Sequence, residues 1–394
     1  MILTINKKII FFVFLLLILK IIIASYLPLI NDEAYAIAVS KNFSLSFFDH
    51  PPLGFWSSSI FTNIIGQENP ILYRLPYIFY GIATSLILYK IGETLYSPEV
   101  GNWSVILYNI APFFFFSGGL FVVPDGPLNL GIVLVGLSII TLHSKNKKND
   151  NFFLIVLGLS LAVCFLSKYQ GFLIGLGCIF VLVVSKKRHI FLKNPYLYIC
   201  FLLALIGIIP TIIWNYNNEW ISFQFQSSRH HNELNILNFF LMLFGLMIYL
   251  LPQTVLIPII KTLSLTRYKL IDLNYDTKEK FLVLLSLPNI LLFLIIFFSS
   301  DKTFPHWIIP GWLLLIPLIS KYMCNNLQKI QQYLFFISSG IIWTFLCILI
   351  IHSQTGIITH NKSYTPKWDN TLELIDWTQL QKPLEKVITN LDKN

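Results

Sequence analysis

The chain has 394 residues, of which 55% are hydrophobic and only 12% charged, and its mean hydropathy is +0.69. A soluble domain carries about 25% charged residues, so a water-soluble globular protein is excluded. The net charge of +9 does not signal nucleic acid, because the basic residues sit in short clusters between apolar runs rather than along one face.

A bilayer crossing needs about 20 mostly apolar residues, and such runs recur from end to end. About eleven spans are predicted, at roughly 9–29, 74–94, 101–119, 125–143, 152–168, 170–185, 195–214, 237–260, 281–299, 307–323 and 333–352. Lys7 and Lys8 before the first run resemble the start of a signal peptide. The run Ile9–Ile30 is too long for a typical signal sequence and no small-x-small cleavage site follows, so it is read as an uncleaved first span. Prolines and glycines inside spans, such as Gly81, Pro112, Pro210 and Pro288, are tolerated where neighbouring helices satisfy the freed backbone. The five cysteines, Cys164, Cys178, Cys200, Cys324 and Cys347, form no CxxC pair, and neither disulfides nor a structural zinc site are expected.

Lys and Arg crowd one set of connections, among them Lys145, Lys147, Lys148, Lys186, Lys187, Arg188, Lys193, Arg267 and Lys269. Positive-inside places these and the N-terminus in the cytoplasm, and an odd number of spans then puts the C-terminal tail outside. The expected organisation is a transmembrane domain, 1–352, with a long first outer loop at 30–73, followed by an extracytoplasmic tail at 353–394. The tail has an amphipathic stretch around Leu372–Val387.

The outer loops hold the chemistry. Asn31-Asp32-Glu33-Ala34-Tyr35 puts two acids at the mouth of the first span, where charge beside hydrocarbon either has a use or ends a helix at the interface. Phe48-Asp49-His50-Pro51-Pro52-Leu53 sets an acid and an imidazole before two prolines, a rigid polar corner. Val123-Pro124-Asp125-Gly126-Pro127 is a turn that presents a carboxylate outward, a weak signal on its own. In Ser167-Lys168-Tyr169, the lone base either snorkels to headgroups or holds a phosphate. Before the tenth span, Asp301-Lys302-Thr303-Phe304-Pro305-His306-Trp307 adds Lys302 and His306, with Trp307 as an interfacial anchor. His230 and His231 lie in another outer connection. The inner face has no such mixture of acids and imidazoles.

Five of these motifs, 31–35, 49–53, 124–128, 167–169 and 305–307, occur in an order and at topological positions that resemble the bacterial GT-C superfamily of glycosyltransferases. The likeness covers roughly residues 1–320. It points to the dolichyl-phosphate-mannose-protein mannosyltransferase-like group, glycosyltransferase family 39/83, which includes the lipid A aminoarabinose transferases. The segment 369–377 also resembles a motif that follows the membrane domain in these proteins. Many of them continue into a larger extracytoplasmic domain, which this chain is expected to lack.

The resemblance implies an all-α polytopic fold with juxtamembrane helices in the outer loop. It implies a polyprenyl-phosphate sugar donor, with its tail between spans and its phosphate toward the outer loops, in the inner membrane of a bacterium. Asp32 matches the principal catalytic acid, and Asp125 a second functional acid with Glu33 beside the first. Asp49 and His50 match an acid–base pair, and Lys168, His306 and Lys302 are implied phosphate or acceptor contacts. The acceptor implied is lipid A, another envelope glycolipid or a glycan. Protein, as in the O-mannosyltransferases, is the alternative, and the short tail favours lipid or glycan. No cofactor is expected. A divalent ion held by Asp and His stays an open alternative, although no metal-ligand spacing stands out. A nucleotide-sugar donor is not expected, since neither a P-loop nor GxGxxG occurs. A transporter or flippase of lipid-linked sugars is the competing class. It would place charge at mid-span, where only Lys20 is found.

Overall fold

The structure is a computed structural model that describes residues 7–144, 150–228, 235–263, 278–299, 303–326, 329–357, 370–375 and 381–391. All regular elements among these residues are helical. The first span is α1 (Lys7–Tyr26); α2 (Asn31–Ser40) and α3 (Leu53–Ile65) then occupy the segment expected to be the first outer loop. Next come α4 (Pro70–Leu95), α5 (Pro98–Ile110), α6 (Pro112–Phe116), α7 (Asp125–Leu142), α8 (Asp150–Ser167) and α9 (Gly171–Val184). A short α10 (Arg188–Leu192) leads into α11 (Pro195–Asn217), and α12 (Ile221–Ser227) follows in the second outer connection. The remainder is α13 (Ile236–Leu250), α14 (Pro252–Leu263), α15 (Lys278–Ser299), a 3-10 turn at Pro305–Ile308, α16 (Ile309–Leu313), α17 (Ile316–Asn326), α18 (Lys329–Thr355), a second 3-10 turn at Asn370–Leu374 and α19 (Gln381–Leu391).

Local sequence sets the helix starts. Asn69, Ser97 and Asn194 each cap the next helix through a side-chain oxygen, and Pro70, Pro98 and Pro195 follow as the first helical residue. Small residues then set the packing. An added Cβ on Gly158 of α8 would lie 2.7 Å from the Cys200 carbonyl, and one on Gly207 of α11 would lie 2.5 Å from Ala162. These two helices therefore run backbone against backbone, the packing that membrane interiors favour.

Among the described residues, seven helices are long and apolar enough to cross a bilayer, and eight if the pair 305–313 and 316–324, bent by 70°, is one span. Every one of the eleven expected spans coincides with helix, but not all are of full length. Pro112 separates α6 from α5, Leu251 at φ 73° separates α13 from α14, and α9 has only 14 residues. All five cysteines are free thiols. In the tail, α19 exposes Leu384, Val387 and Ile388 on one face.

Lys20, the one charge expected within a span, is fully buried and structural. Its Nζ donates to the carbonyls of Phe115 and Gly119, both at 2.8 Å, and lies 4.6 Å from the Phe115 ring centre. It thereby pins the segment that leads from α6 to Asp125.

Candidate active site

Asp32 and Glu33 are adjacent in the first turn of α2, and a helix turns neighbours about 100° apart. They consequently face different surroundings. Glu33 is wholly buried and paired with Arg74 of α4: Arg74 Nε donates to Glu33 Oε1 at 2.8 Å and Nη2 to Oε2 at 2.5 Å. Backbone N–H groups of Val122 and Ile30 also donate to the same carboxylate, at 3.0 and 3.2 Å. Arg74 spends its other protons on the carbonyls of Ala24, Leu27 and Pro28. This clamp joins the end of the first span, α2, α4 and the segment before Asp125.

Losing one partner of such a pair leaves an uncompensated buried charge. Glu33→Ala is expected to cost about 3–5 kcal/mol of stability, and so is Arg74→Ala. Thermal unfolding of the purified protein in detergent reads both, and the double variant should lose less than the sum of the two.

Asp32 lies outside the clamp and keeps an open side to solvent. Its carboxyl is held above the ordinary carboxylate range, first by partial burial and then by repulsion from Asp49. Lys168 opposes the rise, while Asp125 and Glu33 add to it. Asp32 therefore sits within electrostatic reach of charged groups from three other motifs, Asp49, Asp125 and Lys168.

Asp125 is the first residue of α7, and Lys168 follows the last residue of α8. Lys168 Nζ donates to both carboxylate oxygens of Asp125, at 3.0 and 3.2 Å, and both side chains are about 7% exposed. Asp125 is brought to the first outer loop by close backbone packing. A Cβ on Gly54 of α3 would meet Pro124 at 3.1 Å, and Tyr77 Oη donates to the Gly54 carbonyl between them.

The Asp49–His50 corner is half-buried. Tyr35 Oη donates to Asp49 Oδ1 at 3.0 Å, and His50 Nε2 stands 3.9 Å from Asp49 Oδ2. Burial and then the Asp49 charge raise the Tyr35 phenol, so it stays a proton donor. The corner docks on α12: Gln226 donates to the Asp49 carbonyl at 3.0 Å, Ser222 to the Phe47 carbonyl at 3.3 Å, and Phe48 meets Phe225 at 4.6 Å between ring centres. Tyr169, next to Lys168, packs on Phe223 of the same short helix.

His306 lies in the 3-10 turn, flanked by the rings of Phe113 and Phe304 at 6.1 and 5.6 Å. Its neighbour Trp307 ties this turn to the α8–α9 turn, since Gln170 donates to the Trp307 carbonyl at 3.2 Å. Lys302, His230 and His231 lie outside the described residues. Among the described residues, no three His, Cys, Asp or Glu side chains converge as metal ligands.

The five motifs, scattered along the chain from residue 31 to residue 307, thus meet at one end of the helical bundle. Arg74, Tyr35, Ser222 and Gln226 were not expected there. Arg74 carried a signal, a lone arginine at the mouth of a span. Tyr35 stood in the first motif without an assigned role, and Ser222 and Gln226 carried no signal, because only the folded chain brings α12 to Asp49.

Residues 49–214 match the family model for dolichyl-phosphate-mannose-protein mannosyltransferases. The lipid A galacturonosyltransferase RgtD of Rhizobium johnstonii is 24% identical over 288 residues, which are 71% of this chain and 58% of that protein. ArnT from Cupriavidus metallidurans shares the fold, with TM-scores of 0.64 bound to undecaprenyl phosphate and 0.65 in the apo state. Identity to ArnT is 14%, over 90% of this chain and 66% of ArnT. The chain spans less than two thirds of either relative's length. The resemblance to GT-C glycosyltransferases is borne out, and the protein is an all-helical membrane protein with several spans.

Proposed function

We propose that the chain is a glycosyltransferase that moves a sugar from a polyprenyl-phosphate donor to a glycolipid or glycan acceptor at the outer face of the bacterial inner membrane. The observation that carries this reading is the gathering of Asp32, Asp49, Asp125 and Lys168 at the mouths of the spans. ArnT, whose fold the chain shares, was solved with undecaprenyl phosphate, and RgtD is a lipid A galacturonosyltransferase.

The chemistry suits these groups. The bond from the anomeric carbon to the donor phosphate breaks with its electrons going to the phosphate. The carbon becomes oxocarbenium-like, as in glycoside hydrolysis, and the Asp32 carboxylate stabilises that charge. An acceptor hydroxyl forms the new bond and passes its proton to Asp32. Lys168 faces the charge that grows on the leaving phosphate, and Asp125 holds the ammonium in place until then. Asp49 and Tyr35 shape the acceptor side. Glu33, fully used by Arg74, acts as a positioning residue rather than at the reacting atoms.

Purified protein given an undecaprenyl-phosphate sugar should release undecaprenyl phosphate when envelope lipids are added. No release with any envelope fraction would count against the proposal. The acid limb of the pH–rate profile should report Asp32. Asp49 repels that carboxylate, so Asp49→Asn is expected to move the limb to lower pH, and an unmoved limb would detach it from Asp32.

A further inference from the structure

A second site lies at the other end of the bundle. Helices α7, α8, α9 and α11 enclose a cavity of about 340 Å³ whose wall is apolar except at His143. On α9 the lining runs from Phe172 to Leu182, about 15 Å along the axis. That is half of a hydrocarbon core roughly 30 Å thick, the depth of one leaflet. The cavity opens sideways between α9 and α11, where the lining residues Leu176, Ile179, Phe201 and Leu205 are exposed.

Its two ends differ. Toward Lys168 it is closed: Phe165 and Phe172 stack at 4.8 Å, and Gly171 lies so close to Cys164 that an added Cβ would be 2.3 Å from its carbonyl oxygen. The opposite end is floored by Phe191, buried in the five-residue α10. Around Phe191 the sequence reads Lys186-Lys187-Arg188-His189-Ile190-Phe191-Leu192-Lys193. Lys187 secures the end of α7, donating to the carbonyls of Leu142 and Ser144 at 3.1 and 2.8 Å. Lys186, Arg188 and Lys193 are exposed. Arg188 also donates to the Val183 carbonyl at 3.2 Å. Among the described residues, Asp150 at the start of α8 brings an acid to this end, next to Asn151, which accepts from Asn194 at 3.0 Å.

We propose that this cavity and the basic segment 186–193 bind one anionic phospholipid, with an acyl chain in the cavity and its phosphate on Lys186, Arg188 and Lys193. The positive-inside bias explains basic residues at this interface. It does not explain a leaflet-deep apolar cavity whose floor belongs to the basic helix itself. Cations and cavity together match a lipid that carries both a chain and a negative headgroup. The site is separate from the proposed sugar-transfer site and does not depend on that reading.

Native mass spectrometry of the purified full chain tests it, with phosphatidylglycerol and phosphatidylcholine of the same acyl chains as probes. One phosphatidylglycerol should be retained where phosphatidylcholine is not. The triple variant K186Q/R188Q/K193Q should weaken phosphatidylglycerol ~100-fold and leave phosphatidylcholine unchanged. Leu176→Trp, which fills the cavity from its open side, should weaken both. If that variant does not fold, the triple surface variant decides. Equal retention of the two lipids, or a triple variant that binds like wild type, overturns the proposal. So does tighter retention of undecaprenyl phosphate than of phosphatidylglycerol by the wild type, since the cavity would then hold a polyprenyl chain.

Discussion

Asp32→Asn is expected to abolish sugar transfer and to leave a folded, inserted protein. A positioned carboxylate acting as general base contributes about 10²- to 10⁴-fold, so activity falls to that fraction or below detection. The fold should not suffer, because the α2 start is held by Glu33 and Arg74 rather than by Asp32. Linkage gives the same sign. The Asp32 carboxyl is raised in the folded protein, so its favourable contribution exists while it is protonated and is lost as pH rises through the raised value. At neutral pH the wild type carries the cost of a partly buried charge, and asparagine does not. The variant should melt at or above the wild-type temperature. Retained transfer would move the carboxylate role to Asp49 or Asp125.

Lys168→Met is expected to lower transfer by about 10²- to 10³-fold, the loss seen when one donor to developing negative charge is removed. This substitution also strands a buried carboxylate, and breaking such a pair costs about 3–5 kcal/mol. The two effects separate in the double variant Asp125→Asn/Lys168→Met, which removes the stranded charge. Its melting temperature should recover while its transfer stays low. Recovery of both would make the pair a structural device only. The donor KM should rise in Lys168→Met, because the phosphate loses its cation in the bound state too.

The sequence carried the motifs and their order, and the resemblance singled out Asp32, but the residues themselves did not tell which of two adjacent acids is buried. Asp32 and Glu33 read alike in one dimension. They part only because helix rotation turns Glu33 toward Arg74, 41 positions away, while Asp32 faces Asp49 and Lys168. The turn at Asp125 and the lone Lys168 were weak signals separately, and their ion pair is a product of α7 packing beside α8. Periodicity and hydropathy located the helices well. They overstated full-length crossings where the backbone breaks inside an apolar run, at Pro112, at Leu251 and at the 70° bend between residues 313 and 316, since composition is blind to such a break. The docking of α12 on the Asp49 corner was not legible, because Ser222 and Gln226 are ordinary polar residues until the fold brings them 175 and 177 positions back along the chain.

The central claim is sugar transfer from a lipid phosphate to an envelope glycolipid or glycan, carried by Asp32. Mass spectrometry of envelope glycolipids, lipid A included, tests it most directly in a deletion strain complemented with wild type, with Asp32→Asn or with nothing. The account predicts a sugar-sized mass increment in the wild-type complement that is missing from the other two. Identical glycolipids in all three strains would contradict it, and protein acceptors or transport of lipid-linked sugars would then take its place.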